Sequence, residues 1–299
     1  MSSNLRPLSI ESPTGESYTA TMVVGVDESG NDATGSDYYV AVAVRALRAD
    51  ETALVSAMVE NDLRPFEHKS VSTVRHRGMT PEERQERVGG FITDLDETDV
   101  SWSAVVCSGS HSNRAHAAAS SVAAKKSITS ALATDAERIA QSRAVLLHDG
   151  KPDPYQGFTD TLRRQTRSDF DTGFEQGVCP VYLAFLQDAD RTYPESNAAD
   201  YVAGYIRNYL NDGGSLTAID GPVDSLDSSW IQPAERPVQP YHLEDVRPVK
   251  GEGVRSLVLA WLLGRGIPNE PAPTTDNPYR ALVDEIDNSV VKTYLLEEL

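Results

Sequence analysis

The runs and alternations of apolar residues divide the chain into short strands and amphipathic helices. Residues 22–27 form an apolar run ending on an acid, and residues 38–46 (YYVAVAVRA) form another. The short polar stretch between them predicts a hairpin. Residues 51–62 have helical spacing. At Thr80 a capping box is legible, with Pro81 at the first helical position and Glu83 three residues on; the helix it opens should run to about Leu95. Residues 100–107 read as a strand, 112–141 as a long Ala-rich helix, 143–149 (RAVLLHD) as a strand and 154–166 as a helix. Residues 179–186 (CPVYLAFL) read as a strand, and 197–210 as a helix with Val202, Tyr205, Ile206, Tyr209 and Leu210 on one stripe.

The flanks are different in character. Residues 1–20 are polar and read as a flexible lead-in. Residues 211–252 are rich in Gly, Pro, Asp and Ser and read as a loop or insertion, with helices expected at 254–263 and 279–299. The order of elements predicts one α/β domain over residues 21–212, a mixed sheet flanked by helices. Residues 213–299 are then a C-terminal extension packing on that core.

Charge changes the picture most. The chain of 299 residues carries 45 acidic against 27 basic residues, a formal net charge of −18, and only six of the basic residues are lysine. The acids are spread along the chain rather than gathered in a tail. Such a surface suits a protein kept soluble in concentrated salt, so a halophilic source is expected. No basic footprint marks a nucleic-acid surface, although in high salt phosphate attraction is screened in any case. No apolar run reaches the length of a membrane span, and no basic-then-apolar leader opens the chain, so the expectation is a cytoplasmic protein with no membrane partner. Cys107 and Cys179 each sit in an apolar run and read as buried thiols.

Three apolar strands end in acids: Asp27–Glu28, Asp149, and the Asp188/Asp190 pair. In an α/β sheet, strand ends are where sites collect. Carboxylates brought together there repel unless divalent cations bridge them, and oxygen-only ligands suit Mg²⁺ or Mn²⁺. Taken one at a time, each acid is also an ordinary turn residue. Asp200 falls near a predicted helix start on the polar side of the wheel, which predicts a solvated side chain.

The segments GVDESGN, LLHDG and DADRTYPESNAADYVAGYIRNYL resemble the ribonuclease-H-like superfamily. Two branches compete. Over residues 22–210 the chain is similar to type 2 ribonuclease H, whose four metal-binding acids would fall on Asp27, Glu28, Asp149 and Asp190; TPEERQERV at 80–88 also resembles a helix start of that family. The second branch is a poorly characterised family marked by an Asp-Glu-Ser-Gly strand and a late Ala-Asp-apolar-apolar-Ala-Gly helix. DESG at 27–30 and ADYVAGYIR at 199–207 match it, and its last acid would be Asp200. The second is preferred. The type 2 family's Gly-Arg-Gly is replaced here by Ser29, Gly30, Asn31 and Asp32, its Asp-Ser-Lys is missing, and its Ala-Ala-Ser is Ala198–Ala199–Asp200.

The resemblance implies a ribonuclease-H-like fold and a Mg²⁺- or Mn²⁺-dependent nuclease acting on RNA, DNA or their hybrid. Asp27 would bridge two ions, with Glu28, Asp149 and either Asp190 or Asp200 completing the set; two ions can activate a water and stabilise the leaving oxygen. The competing expectation is a non-catalytic binding or assembly module with the same fold. Other residues are read more plainly. His148 should point to the sheet face opposite Asp149 and pack there. Lys125 and Lys126 are expected at the surface, and Arg163, Arg164 and Arg167 on a solvated helix face. The tryptophans are expected as packing anchors. The locally basic segment with His68, Lys69, Arg75, His76 and Arg77 is an equal candidate for phosphate contact or a solvated loop.

Overall fold

A computed structural model describes residues 7–30, 37–63, 80–108, 113–150, 161–166, 179–187, 189–226 and 246–249, with four positions near the C-terminus (289, 292, 293 and 296). The predicted hairpin is present as β3 (Met22–Ser29) and β4 (Tyr38–Leu47). It is preceded by β1 (Leu8–Glu11) and β2 (Ser17–Ala20) and followed by α1 (Glu51–Glu60), α2 (Pro81–Leu95) and β5 (Ser101–Ser108). Then come α3 (Asn113–Ser130), α4 (Leu132–Ala140), β6 (Ala144–Asp149), helical residues 161–166 (α5), β7 (Val181–Leu186) and α6 (Pro194–Asn211). Two short strands close the order, β8 (Val223–Leu226) and β9 (Arg247–Pro248).

The main sheet has six strands in the order β7-β6-β3-β4-β5-β8. The pairs β3/β6, β6/β7 and β5/β8 are parallel, and β3/β4 and β4/β5 antiparallel. This is an α/β fold with a mixed sheet flanked by helices, consistent with the ribonuclease-H-like fold. One face is covered by α3 and α4, whose Ala115, Ala119, Ala123 and Ala124 lie against Ala41, Ala43, Val24 and Val26. Small residues on both sides let helix and sheet approach closely, which is why α3 is Ala-rich. The other face is covered by α6, α1 and α2 over β4 and β5, with Phe91, Trp102 and Tyr201 at the centre. Beside them, a three-stranded sheet in the order β2-β1-β9 covers β6 and β7.

The capping box at α2 is formed: the Thr80 hydroxyl accepts from the Glu83 amide at 3.2 Å, and the Thr80 amide donates to Glu83 at 2.8 Å. Three expectations change. The long helix is broken at Ala131, and Asp135 departs from helical geometry (φ −141°, ψ 35°), giving α3 and α4. Residues 8–20, expected as a flexible lead-in, form a hairpin whose Leu8, Ile10 and Ala20 are fully buried. Its strands are four residues each, too short for alternation to stand out among Ser, Thr, Pro and Gly, and the strand that completes its sheet lies at 247–248. Within the expected loop at 211–252, β8 adds to the main sheet and β9 to the small one. The helices expected at 254–263 and 279–299, most of helix 154–166, Trp230, Trp261, Arg167, Asp188 and the basic segment 64–77 lie outside the described residues, apart from the four single positions. Among the described residues, no helix is long and apolar enough to cross a membrane.

Candidate metal centre

The site is built by three parallel strands that end at the same edge. β3 is central, and its register with β6 pairs Val26 with His148, so the next residues, Asp27 and Asp149, are neighbours on one face. In β7, Leu186 lies beside Asp149, and the chain then turns through a short 3₁₀ segment (Ala189–Arg191) that carries Asp190. The Ala189 amide donates to Asp149 Oδ1 at 2.7 Å, tying that turn to the end of β6. After the acidic ends of β3 and β6 the chain leaves through a glycine in the left-handed region: Gly30 at φ 88° and Gly150 at φ 113°. That conformation is costly for any residue with a Cβ, which gives the Gly of DESG and of HDG a backbone role.

The fifth acid arrives from α6. A Cβ on Gly25 would stand 2.1 Å from the Ser196 amide nitrogen and 2.6 Å from Ser196 Cα, so α6 rests directly on β3 at Gly25. Four residues of helix rise about 6 Å and two residues of strand about 7 Å. Asp200 is four residues beyond Ser196 and Asp27 two beyond Gly25, which brings the two carboxyls to the same level. The expectation of a solvated Asp200 is therefore corrected. The helix begins at Pro194, not 197, so Asp200 lies in its second turn, and only 6% of it is exposed. The wheel misled because α6 is buried on nearly every side from Pro194 to Gly204, so its apolar stripe does not mark its only inner face.

The electrostatics follow from this convergence. Burial holds the Asp27 carboxyl well above its usual range, and Asp200, Asp149, Glu28 and Asp190 each push it further, in that order. The four other acids singled out in the sequence thus all act on Asp27 in the fold. Asp27 and Asp190 are buried, while Glu28 and Asp149 are partly exposed. Glu28 stands on the α3 face by alternation, yet after burial it is Asp149 that raises it, to about 7. Asp27 Oδ1 accepts from the Glu28 amide at 2.7 Å. Among the described residues, no three His, Cys, Asp or Glu side chains are arranged to hold one metal ion.

Around the acids stand residues that sequence reasoning passed over. On the α3 face, Tyr39 is buried and its hydroxyl is raised by burial and by Glu28. His116 of α3 stacks on that ring, centroids 3.7 Å apart and planes 8° from parallel. On the α6 face, Arg84 of α2 lies 5.7 Å from the Tyr201 ring centroid, and Tyr201 and Asp200 both favour its charge against the burial that lowers it. The Arg84 position was visible only as part of a capping segment; nothing local marks it as a neighbour of Asp200.

His148 behaves as expected: it packs on the face opposite Asp149, stacks on Phe185 at 5.4 Å, and burial lowers it to about 3, leaving it neutral. Arg163 lies 5.0 Å over that Phe185 ring, a stacked position rather than the solvated one expected, while Arg164 is exposed. Lys125 and Lys126 are half-buried, and Lys126 pairs with Asp224. Trp102 is a buried anchor; Cys107 is buried and Cys179 half-buried, both thiols free and both raised by burial. Compared with family models and with curated proteins, the chain finds no match.

Proposed function

We propose that the protein is a divalent-metal-dependent nuclease of the ribonuclease-H-like kind, hydrolysing phosphodiester bonds in nucleic acid. The observation that carries this reading is the buried Asp27 carboxyl, raised by Asp200, Asp149, Glu28 and Asp190 together. Five carboxyls gathered from four elements oppose one another's ionisation, and a divalent cation is the partner that reverses the sign of that arrangement. The donors are all carboxylate oxygens, which fits Mg²⁺ or Mn²⁺. Asp27, between the acids of β6 and α6, is the natural central ligand. Glu28, Asp149, Asp190 and Asp200 would hold the ions around it. Bound there, the metal would supply a water of lowered pKa and a Lewis acid for the phosphoryl oxygens. The partly exposed pair, Glu28 and Asp149, marks the side open to substrate. Bound there, the cation would make the site locally less negative within a chain of net charge −18.

The test is cleavage of an RNA/DNA hybrid, single-stranded RNA, and single- and double-stranded DNA in molar KCl with Mn²⁺, for wild type and Asp27→Asn. Cleavage by wild type that is lost in the variant is the expected result, and the favoured substrate separates the two branches of the resemblance. Cleavage retained in Asp27→Asn sinks the assignment. No cleavage of any substrate would turn the reading to a binding module.

A further inference from the structure

We propose that Asn197 belongs to this centre, its side-chain Oδ1 giving a neutral oxygen to the same divalent cation; this rests on the metal-site reading above. Asn197 is 1% exposed, and neither Oδ1 nor Nδ2 has a hydrogen-bond partner. An amide so buried is rare in a folded protein and calls for a missing partner.

Its position says which partner. At 3.6 residues per turn, Asn197 and Asp200 are about 60° apart around α6 and one turn apart along it, the spacing at which side chains meet. Asp190 lies on the turn leading into the same helix, where the Tyr193 and Thr192 amides donate to Ala189 at 2.9 and 3.0 Å. Asn197 thus shares a helix side with one site acid, and a second lies on the turn before that helix.

Two other orphaned groups lie away from the acids. Glu195 adjoins Glu51 beside Arg48, where burial and then Glu51 raise its carboxyl. His148 stacks on Phe185 on the opposite face. A hard cation is drawn by the acids and takes a carbonyl-type oxygen readily. The neutral ligand also adds no further charge to a crowded set.

The test is calorimetric Mn²⁺ titration of the full chain at constant high ionic strength, with melting temperatures in chelator as a measure of the fold. Asn197→Leu replaces the amide by an apolar group with the same number of side-chain heavy atoms. Its melting temperature in chelator should not fall, since an unpaired buried amide is lost, while Mn²⁺ affinity should drop about 10-fold or more. Asn197→Asp should restore Mn²⁺ binding to wild-type strength or above, at a lower melting temperature in chelator. Unchanged Mn²⁺ affinity in Asn197→Leu, with wild type binding and Asp27→Asn not binding, overturns the role of Asn197 alone. Absence of Mn²⁺ binding by wild type overturns the metal-site reading and this inference with it.

Discussion

The two ends of the main sheet treat their acids in opposite ways. At the end where β4 finishes, acids meet arginines. Arg48 pairs with Glu51, both almost wholly buried, and Glu195 of α6 packs against them. Nearby, Arg138 reaches both oxygens of Asp50, at 2.9 and 2.8 Å, and Asp135 at 3.0 Å. The buried Arg45 donates to the Ser101 hydroxyl at 2.7 Å and the Asp99 carbonyl at 2.5 Å. At the end where β3, β6 and β7 finish, the largest influences on Asp27 are burial and four other carboxylates, all raising it. In one acidic chain, the first arrangement stabilises the fold and the second opposes it. Arrangements that cost stability concentrate where function resides.

The contrast can be broken from either side. The largest effect on stability is expected at the paired end: Arg48→Met leaves Glu51 buried without its cation and should cost about 3–5 kcal/mol, read by chemical denaturation. At the acidic end, Asp27→Asn should reduce metal-dependent cleavage by more than about 100-fold, beyond what changes outside the ligand set cost. Its metal-free melting temperature should hold or rise, because a buried carboxyl whose ionisation its neighbours oppose is removed. If Asp27→Asn instead unfolds the chain, the two ends do not differ as described.

A smaller effect is expected from pH. Glu28 is raised from 4.5 to about 7, and Asp27 is raised with it, so the folded protein holds protons that the unfolded chain releases. The Glu28 contribution to metal-free stability is fully present below about 4.5 and is lost as pH rises through about 7, and Asp27 acts in the same direction. Glu195 adds to the same slope from the other end, so Glu28→Gln, which should flatten only part of it, isolates the acidic end. Metal binding requires deprotonated carboxyls, so stabilisation by Mn²⁺ should grow over the same interval. Melting curves between pH 4.5 and 8, with and without Mn²⁺, check both signs. The smallest effect is expected for Arg138→Ala, whose partly exposed ion pairs should be worth about 1 kcal/mol or less.

The acids were legible because each sits at the end of its own apolar run, and position after a strand is local information. Their mutual approach was not local, but parallel strands ending at one edge made it expected. Asp200 was found through resemblance and misplaced by the helical wheel, since α6 is enclosed on nearly all sides. Gly25 gave no signal at all: its importance is the 2.1 Å that a Cβ would leave to Ser196, a contact between residues far apart in sequence. Arg84, Tyr39, His116 and Asn197 escaped notice for the same reason. The hairpin at 8–20 was missed because its two strands are short and the strand completing its sheet lies more than 200 residues on.

The most direct test of the central claim, that the acid-crowded end of the sheet is a divalent-cation site, is the melting temperature of the full chain with and without Mn²⁺ at constant high ionic strength, beside Asp27→Asn. A ligand that binds only the folded state stabilises it by about 2.7 kcal/mol at 100 times its dissociation constant. The account predicts a clear rise for wild type and little or none for Asp27→Asn. Equal curves with and without Mn²⁺ in wild type, or an equal rise in both proteins, would contradict it.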